Sequence, residues 1–268
     1  MAVVTLFSAS GSPGVTVSAL GMALAWQRHV MLVDADPTGS SSILAGYLQG
    51  QTAHDRGLLD LAVANRVGNL GQAIATVSMT LPGSTVEFVP GIRSHQQAPS
   101  MRNLWEPLSG VLRGMEQRGV DVVVDAGRLG LEQSPMPLVR GSDLSLLVVR
   151  SDLPAVSGAR AWARSLRDQL TSVGAAHQLG VLLVGPGRPY SAREIRSVLG
   201  LPVVAELPWD PESAEVYYAG RRPKKSFAGG PLNRALRATV SSSQGLIANN
   251  RERLGTQTHR ATQEAGQP

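Results

Sequence analysis

The sequence predicts an α/β protein of three layers, a mostly parallel central sheet with helices on both faces. Continuous apolar runs such as Val30–Val33, Val122–Val124 and Leu146–Val149 suit strands that are covered on both sides. Between them lie stretches of helical spacing, so strand and helix alternate as they do in parallel sheets. A glycine-rich turn, Gly11-Ser12-Pro13-Gly14, also joins the first strand to the first helix. With 268 residues, 43% of them hydrophobic, the chain can bury one large core.

The elements follow in order. Val3–Phe7 is the first strand, and Ala19–Ala25 belongs to a buried helix. Val30–Val33 is a strand that ends at the acidic turn Asp34-Ala35-Asp36-Pro37. Residues 43–81 read as helical or irregular, with helices starting near Gly57 and over Leu70–Val77. Thr85–Val89 has strand chemistry with Pro90-Gly91 as its breaker, and Ile92–Ser100 reads as a polar, mobile loop in which His95 is solvent-exposed. Leu104, Leu108, Val111, Leu112 and Met115 recur at helical spacing, and Gly119 stops that helix.

Val120–Gly127 is then a buried strand carrying Asp125 at its tip, and Asp143–Arg150 is another strand. Asp152 reads as the N-cap of a helix running to Leu170. Leu179–Val184 forms the next strand, and Ser191 with Glu194 has capping-box spacing. Leu201–Asp210 contains the last strand and is followed by helical residues through Tyr218. A packed helix is expected to about Val240. Beyond it, Ser241-Ser242-Ser243 and a Gln/Asn/Thr-rich stretch predict a loose tail over 241–268.

The strand, glycine turn and helix N-terminus bring unpaired amide N–H groups together, the geometry of a phosphate loop. A working loop of that kind places a lysine just before the Ser or Thr that meets Mg²⁺, and here that position is Val15. The spacing resembles the deviant loop of the ParA/MinD family of partitioning and positioning ATPases, Lys-Gly-Gly-x-Gly-Lys-Thr-Thr. Laid over Ser10 to Val17, it turns the signature lysine into Ser10 and the second lysine into Val15. Asp34-Ala35-Asp36-Pro37-Thr38-Gly39 is similar to the family's Asp-x-Asp-Pro-Gln-Gly, and the resemblance extends over about residues 1–240.

The resemblance implies a P-loop NTPase fold and ATP or ADP with Mg²⁺ as cofactor. Gly11, Ser12, Pro13, Gly14, Val15, Thr16 and Val17 would form the nucleotide cradle. Thr16, Asp34 and Asp125 would support the metal, and Asp36 would orient the attacking water. Where the family reads adenine with Asn-Arg, this chain has Gly185-Pro186-Gly187-Arg188. Arg93, Arg128, Arg150 and Arg188 each follow a predicted strand, and Arg128 or Arg150 is expected to replace part of the lost charge. Without both lysines, efficient ATP turnover is not expected, because cations on a transferring phosphoryl group supply roughly 10³–10⁵ in rate.

Absence of cysteine excludes a disulfide framework and thiolate metal sites. No apolar run reaches the length of a membrane span, no secretory signal is visible, and cytoplasmic residence is expected. The net charge of +5 is concentrated late in the chain. From Gly220 onward nine basic residues face two glutamates, which leaves the remainder slightly acidic. The expected partners are a second copy of the chain and a protein cargo, in division, partitioning or pilus and secretion machinery. The basic tail, with Leu232, Leu236, Val240, Ile247 and Leu254 along one helical face, could also touch an acidic membrane or nucleic acid.

Overall fold

A computed structural model describes residues 2–10 and 13–265, with side chains described through residue 253. Val3–Ser8 (β1) is buried at every position, as its apolar run requires. After it come Val15–Ala25 (α1), Val30–Asp34 (β2), Leu58–Arg66 (α2), Leu70–Val77 (α3), Met79–Thr80 (β3) and Glu87–Val89 (β4). Trp105–Gly114 (α4), Asp121–Arg128 (β5), Met136–Arg140 (α5), Leu144–Arg150 (β6) and Leu153–Ser172 (α6) form the middle of the chain. Leu179–Val184 (β7), Ala192–Leu199 (α7), Val203–Leu207 (β8), Pro211–Ala219 (α8) and Pro231–Ala265 (α9) complete it.

The strands lie in the order β3-β4-β2-β5-β1-β6-β7-β8, all parallel to their neighbours except β3, which runs antiparallel to β4. From β1 the chain first builds outward on one side and later, through β6 to β8, on the other. The strand order therefore reverses at β1, and in open parallel sheets ligands bind at the carboxyl ends of the strands beside such a point.

Alternation along each strand divides the core. Val4, Leu6, Leu32 and Val123 pack on one face with Leu20 and Met22 of α1 and Leu236 of α9. Val3, Met31, Val33, Val122 and Val124 face the opposite way, toward Leu61, Ile74 and Leu108. Farther along that second face, Phe7, Leu147, Val181 and Leu183 meet Ala163, Leu166 and Ile195 of α6 and α7. Helices thus cover both sides of the sheet, which agrees with the predicted class.

Several local features differ from the sequence reading. The expected loop at 92–100 contains a 3₁₀ turn, His95–Met101, because Ala98 and Met101 insert into the core within a polar stretch. β3 is two residues long and α5 a single turn, too short for periodicity to reveal. The largest difference is α9, which continues past Val240 where a loose tail is predicted. Ser243, Ile247 and Asn250 are buried there, Asn250 donates to the His177 carbonyl, and Arg251 pairs with Glu116 and Asp143. Leu232, Leu236, Val240 and Ile247 consequently face the body rather than a membrane, while the Leu254 side chain lies outside the described residues. Among the described residues, no helix is long and apolar enough to cross a membrane.

Candidate functional site

Gly14 is the N-cap of α1 with φ of +98°, a left-handed conformation that a side chain would resist. Among the described residues no side chain caps this end, so the first amide donors of α1 remain available. Pro13, Gly14, Val15, Thr16, Val17 and Ser18 form one wall of a cleft of about 560 Å³ at the carboxyl edge of the sheet. Gly11 and Ser12 lie outside the described residues.

The two positions that resemble lysines are accounted for differently. Val15 is 7% exposed and belongs to the core beneath α1. Ser10 turns toward α6, since a methyl group on Gly158 would come within 2.5 Å of the Ser10 hydroxyl. No ammonium group replaces either one, and both lysines of the chain, Lys224 and Lys225, lie in the loop after α8.

Opposite this loop the sheet register sets Asp34 of β2 beside Asp125 of β5. Both are buried. Asp125 accepts from the Gly127 amide at 3.0 Å, and the Thr16 hydroxyl lies close enough to favour its charged form. Burial, then the neighbouring Asp34, push its pKa upward, against those two donors. Burial likewise raises Asp34, with Asp36 adding to the effect and the Ser41 hydroxyl opposing it.

Asp36 is partly exposed and lines the cleft, its Oδ1 accepting from the Thr38 amide and hydroxyl at 2.8 Å each. It sits over Gly127, where a Cβ would lie 2.3 Å from the Asp36 carboxyl carbon, and Gly127 itself has φ of +59°. Glycine is required there for both reasons.

Hard oxygen donors at a helix N-terminus suit Mg²⁺, and the Thr16–Asp125 contact provides two of them. Among the described residues, no three His, Cys, Asp or Glu side chains are arranged to hold a metal by themselves. A Mg²⁺ ion would therefore complete its shell with water and ligand oxygens.

The arginines divide. Arg128 is exposed, lines the cleft, and has no ion-pair or side-chain hydrogen-bond partner among the described residues. Arg150 does not line it. Its guanidinium lies 4.4 Å from the Trp209 ring and its Nε is 3.4 Å from Asp152. Arg93 donates to the Asp55 carbonyl, away from the cleft. Val184, Leu207, Trp209 and Tyr218 form the apolar part of the opposite wall, with Asp210 and Glu215 among them.

No family model matches the sequence, and no curated protein matches it. The fold does match solved structures. A MinC:MinD cell division protein complex from Aquifex aeolicus aligns with a TM-score of 0.68 at 18% identity, covering 91% of this chain and 96% of that one. A ParA family ATPase from Chlorobium tepidum TLS gives 0.70 at 17%, covering 89% and 98%. The septum site-determining protein MinD complexed with Mg-ADP from Pyrococcus horikoshii OT3 gives 0.67 at 18%, covering 89% and 93%.

The chain has the ParA/MinD fold. Within that fold the structure gathers Thr16, Asp34, Asp36, Asp125 and Arg128 at one edge, with Arg150 stacked on Trp209 beside it. Sequence reasoning overlooked Gly127, Trp209 and Tyr218. The glycine directly after a strand-tip acid and the aromatic between Pro208 and Asp210 were the available signals.

Proposed function

We propose that the chain is a positioning or scaffold factor of ParA/MinD type whose degenerate nucleotide site works by binding rather than by efficient turnover. One observation supports this above the others: Val15 is buried and Ser10 is turned to α6, so the phosphate loop has no lysine while Asp34, Asp36 and Asp125 remain. The amide donors of α1, Thr16 and Asp125 would seat a nucleotide phosphate with Mg²⁺. Asp36 stands where the family's water-orienting carboxylate would be, without the cations that stabilise a leaving phosphate. A second copy of the chain and a protein cargo of division, partitioning or secretion machinery are its proposed partners, since a face-to-face dimer would enclose this edge.

Two measurements test it. Calorimetry with ATP and Mg²⁺ is expected to show binding, and steady-state phosphate release is expected to show no activity that Asp36→Ala removes. Brisk release abolished by Asp36→Ala overturns the reading.

A slow ATPase is the second reading, favoured by the unpartnered Arg128 in the cleft. It requires Arg128→Ala to abolish a weak phosphate release and to lower nucleotide affinity about tenfold or more, the usual scale for a lost charged contact. Non-specific DNA binding through the end of the chain has less support, because α9 is packed on the body as far as Ile247.

A further inference from the structure

A second cavity lies on the far side of α8. Ala214, Glu215 and Tyr218 face the first cleft, while Val216 and Tyr217 of the same helix face the second. It sits beside Leu24 and Ala25, the last residues of the eleven-residue α1, so α1 separates it from Gly14 by about 15 Å at 1.5 Å per residue. Its volume, about 560 Å³, equals that of the first and falls within the range of small-molecule sites.

The two cavities differ in charge. Among the described residues, the first is lined by Asp36, Asp210 and Glu215 with Arg128 as its one basic residue. Among the described residues no carboxylate lines the second, and Arg221, Arg222 and Arg237 do. Arg221 is engaged with Glu215 at 2.8 Å. Arg237 spends one N–H on the Ala228 carbonyl at 3.0 Å, and Arg222 has no partner among the described residues. Two guanidinium groups thus keep open donors in the geometry that suits carboxylate and phosphate oxygens. Tyr47, Tyr217 and Phe227 supply flat apolar walls, the last two with ring centroids 5.5 Å apart.

This wall is fixed by close backbone contacts. A Cβ on Gly46 would overlap the Tyr218 carbonyl, and one on Gly220, which has φ of +61°, would lie 2.6 Å from the Tyr47 carbonyl. Gln49 holds φ of +53° without being glycine, and its Nε2 donates to the Gly220 carbonyl at 2.7 Å. A non-glycine residue in that conformation persists where its surroundings hold it. Asn233 accepts from the Tyr217 hydroxyl and donates to the Phe227 carbonyl at 2.8 Å, which ties α9 to the same wall.

We propose that this second cavity binds a small aromatic anion, a ring bearing a carboxylate, sulfonate or phosphate ester, with the ring on the Tyr47, Tyr217 and Phe227 walls and the anion on Arg222 and Arg237. The inference is independent of nucleotide binding at the first cleft.

The probe is 8-anilinonaphthalene-1-sulfonate, titrated by fluorescence against the full chain and followed by amide chemical shifts. Expected are a single site, shifts at Gln49, Gln51, Thr52, Gly220 and Phe227, and displacement by phenyl phosphate but not by inorganic phosphate at the same concentration. Arg222→Ala, in an exposed loop, should weaken binding about threefold, and Arg222→Ala with Arg237→Gln about tenfold or more. Arg128→Ala should leave this titration unchanged. The proposal fails if the probe does not bind, if its shifts gather around Asp36, Gly127 and Trp209, if both arginine variants bind as wild type does, or if inorganic phosphate competes equally.

Discussion

Two buried aspartates stand four residues apart on β5, one near each end, and they are treated in opposite ways. Asp121 accepts from the Ala2 amide at 2.6 Å, from Trp26 Nε1 at 2.7 Å and from Arg28 Nη2 at 2.8 Å. Asp125 has the Gly127 amide and the Thr16 hydroxyl, and faces Asp34 and Asp36 instead of a cation. The first carboxylate is compensated within the protein. The second is left with negative neighbours, an arrangement that favours a bound cation. Burial alone does not separate a structural acid from a functional one; the identity of the surrounding charges does.

The largest expected effect tests the compensated end. Asp121→Ala orphans two donors, the Ala2 amide and the Trp26 indole, and removes the partner of Arg28. Arg28 is half exposed and keeps its water, so the cost falls on the two orphaned buried donors at about 1–3 kcal/mol each, and unfolding in urea should show a loss on that summed scale with little change in its denaturant slope. A loss below about 1 kcal/mol would mean that water replaces these donors with ease and that the contrast between the two acids is overstated.

Asp125→Asn should act in the opposite direction, at a smaller magnitude. The folded pKa of Asp125 is raised, so as pH climbs past the unfolded value near 3.8 the unfolded chain releases its proton first. Wild-type stability therefore falls as pH rises between that value and about 8, and the penalty is fully present above it. In metal-free buffer Asp125→Asn should leave stability unchanged near pH 4 and raise it by about 1–3 kcal/mol near pH 8. Equal stability of the two proteins at every pH would show that Asp34 and Asp125 are not in conflict.

How far the sequence carries this contrast depends on which end of β5 is considered. Three apolar residues, Val122 to Val124, followed by Asp125, placed after a glycine turn and beside the Asp34–Asp36 motif, identify the functional end from local pattern. Asp121 gives no such signal, because its partners at Ala2 and Trp26 are 119 and 95 residues away in the chain. The strands and major helices were legible because periodicity is local. The continuation of α9 was not: its buried polar residues, Ser243 and Asn250, look like a solvated tail until the fold brings the His177 carbonyl to Asn250 and Glu116 to the neighbouring Arg251. The contact of Arg150 with Trp209 was hidden for the same reason, since Trp209 lies 59 positions further on and only β6, β7 and β8 pairing in parallel brings the two together.

That contact yields the smallest expected effect and sharpens the comparison at the basic side of the cleft. Arg150→Ala removes a guanidinium stacked on a partly exposed indole, an interaction worth about 0.5–1 kcal/mol at exposed sites. The Asp152 pair adds little, as both side chains are substantially exposed. Tryptophan emission should shift as Trp209 loosens, while ATP affinity measured by calorimetry should stay within about twofold of wild type. Arg128→Ala, by contrast, removes the unpartnered cation that lines the cleft and should weaken that affinity. Equal weakening by the two substitutions would return Arg150 to the phosphate edge, and would mean that its contact with Trp209 yields when a nucleotide enters.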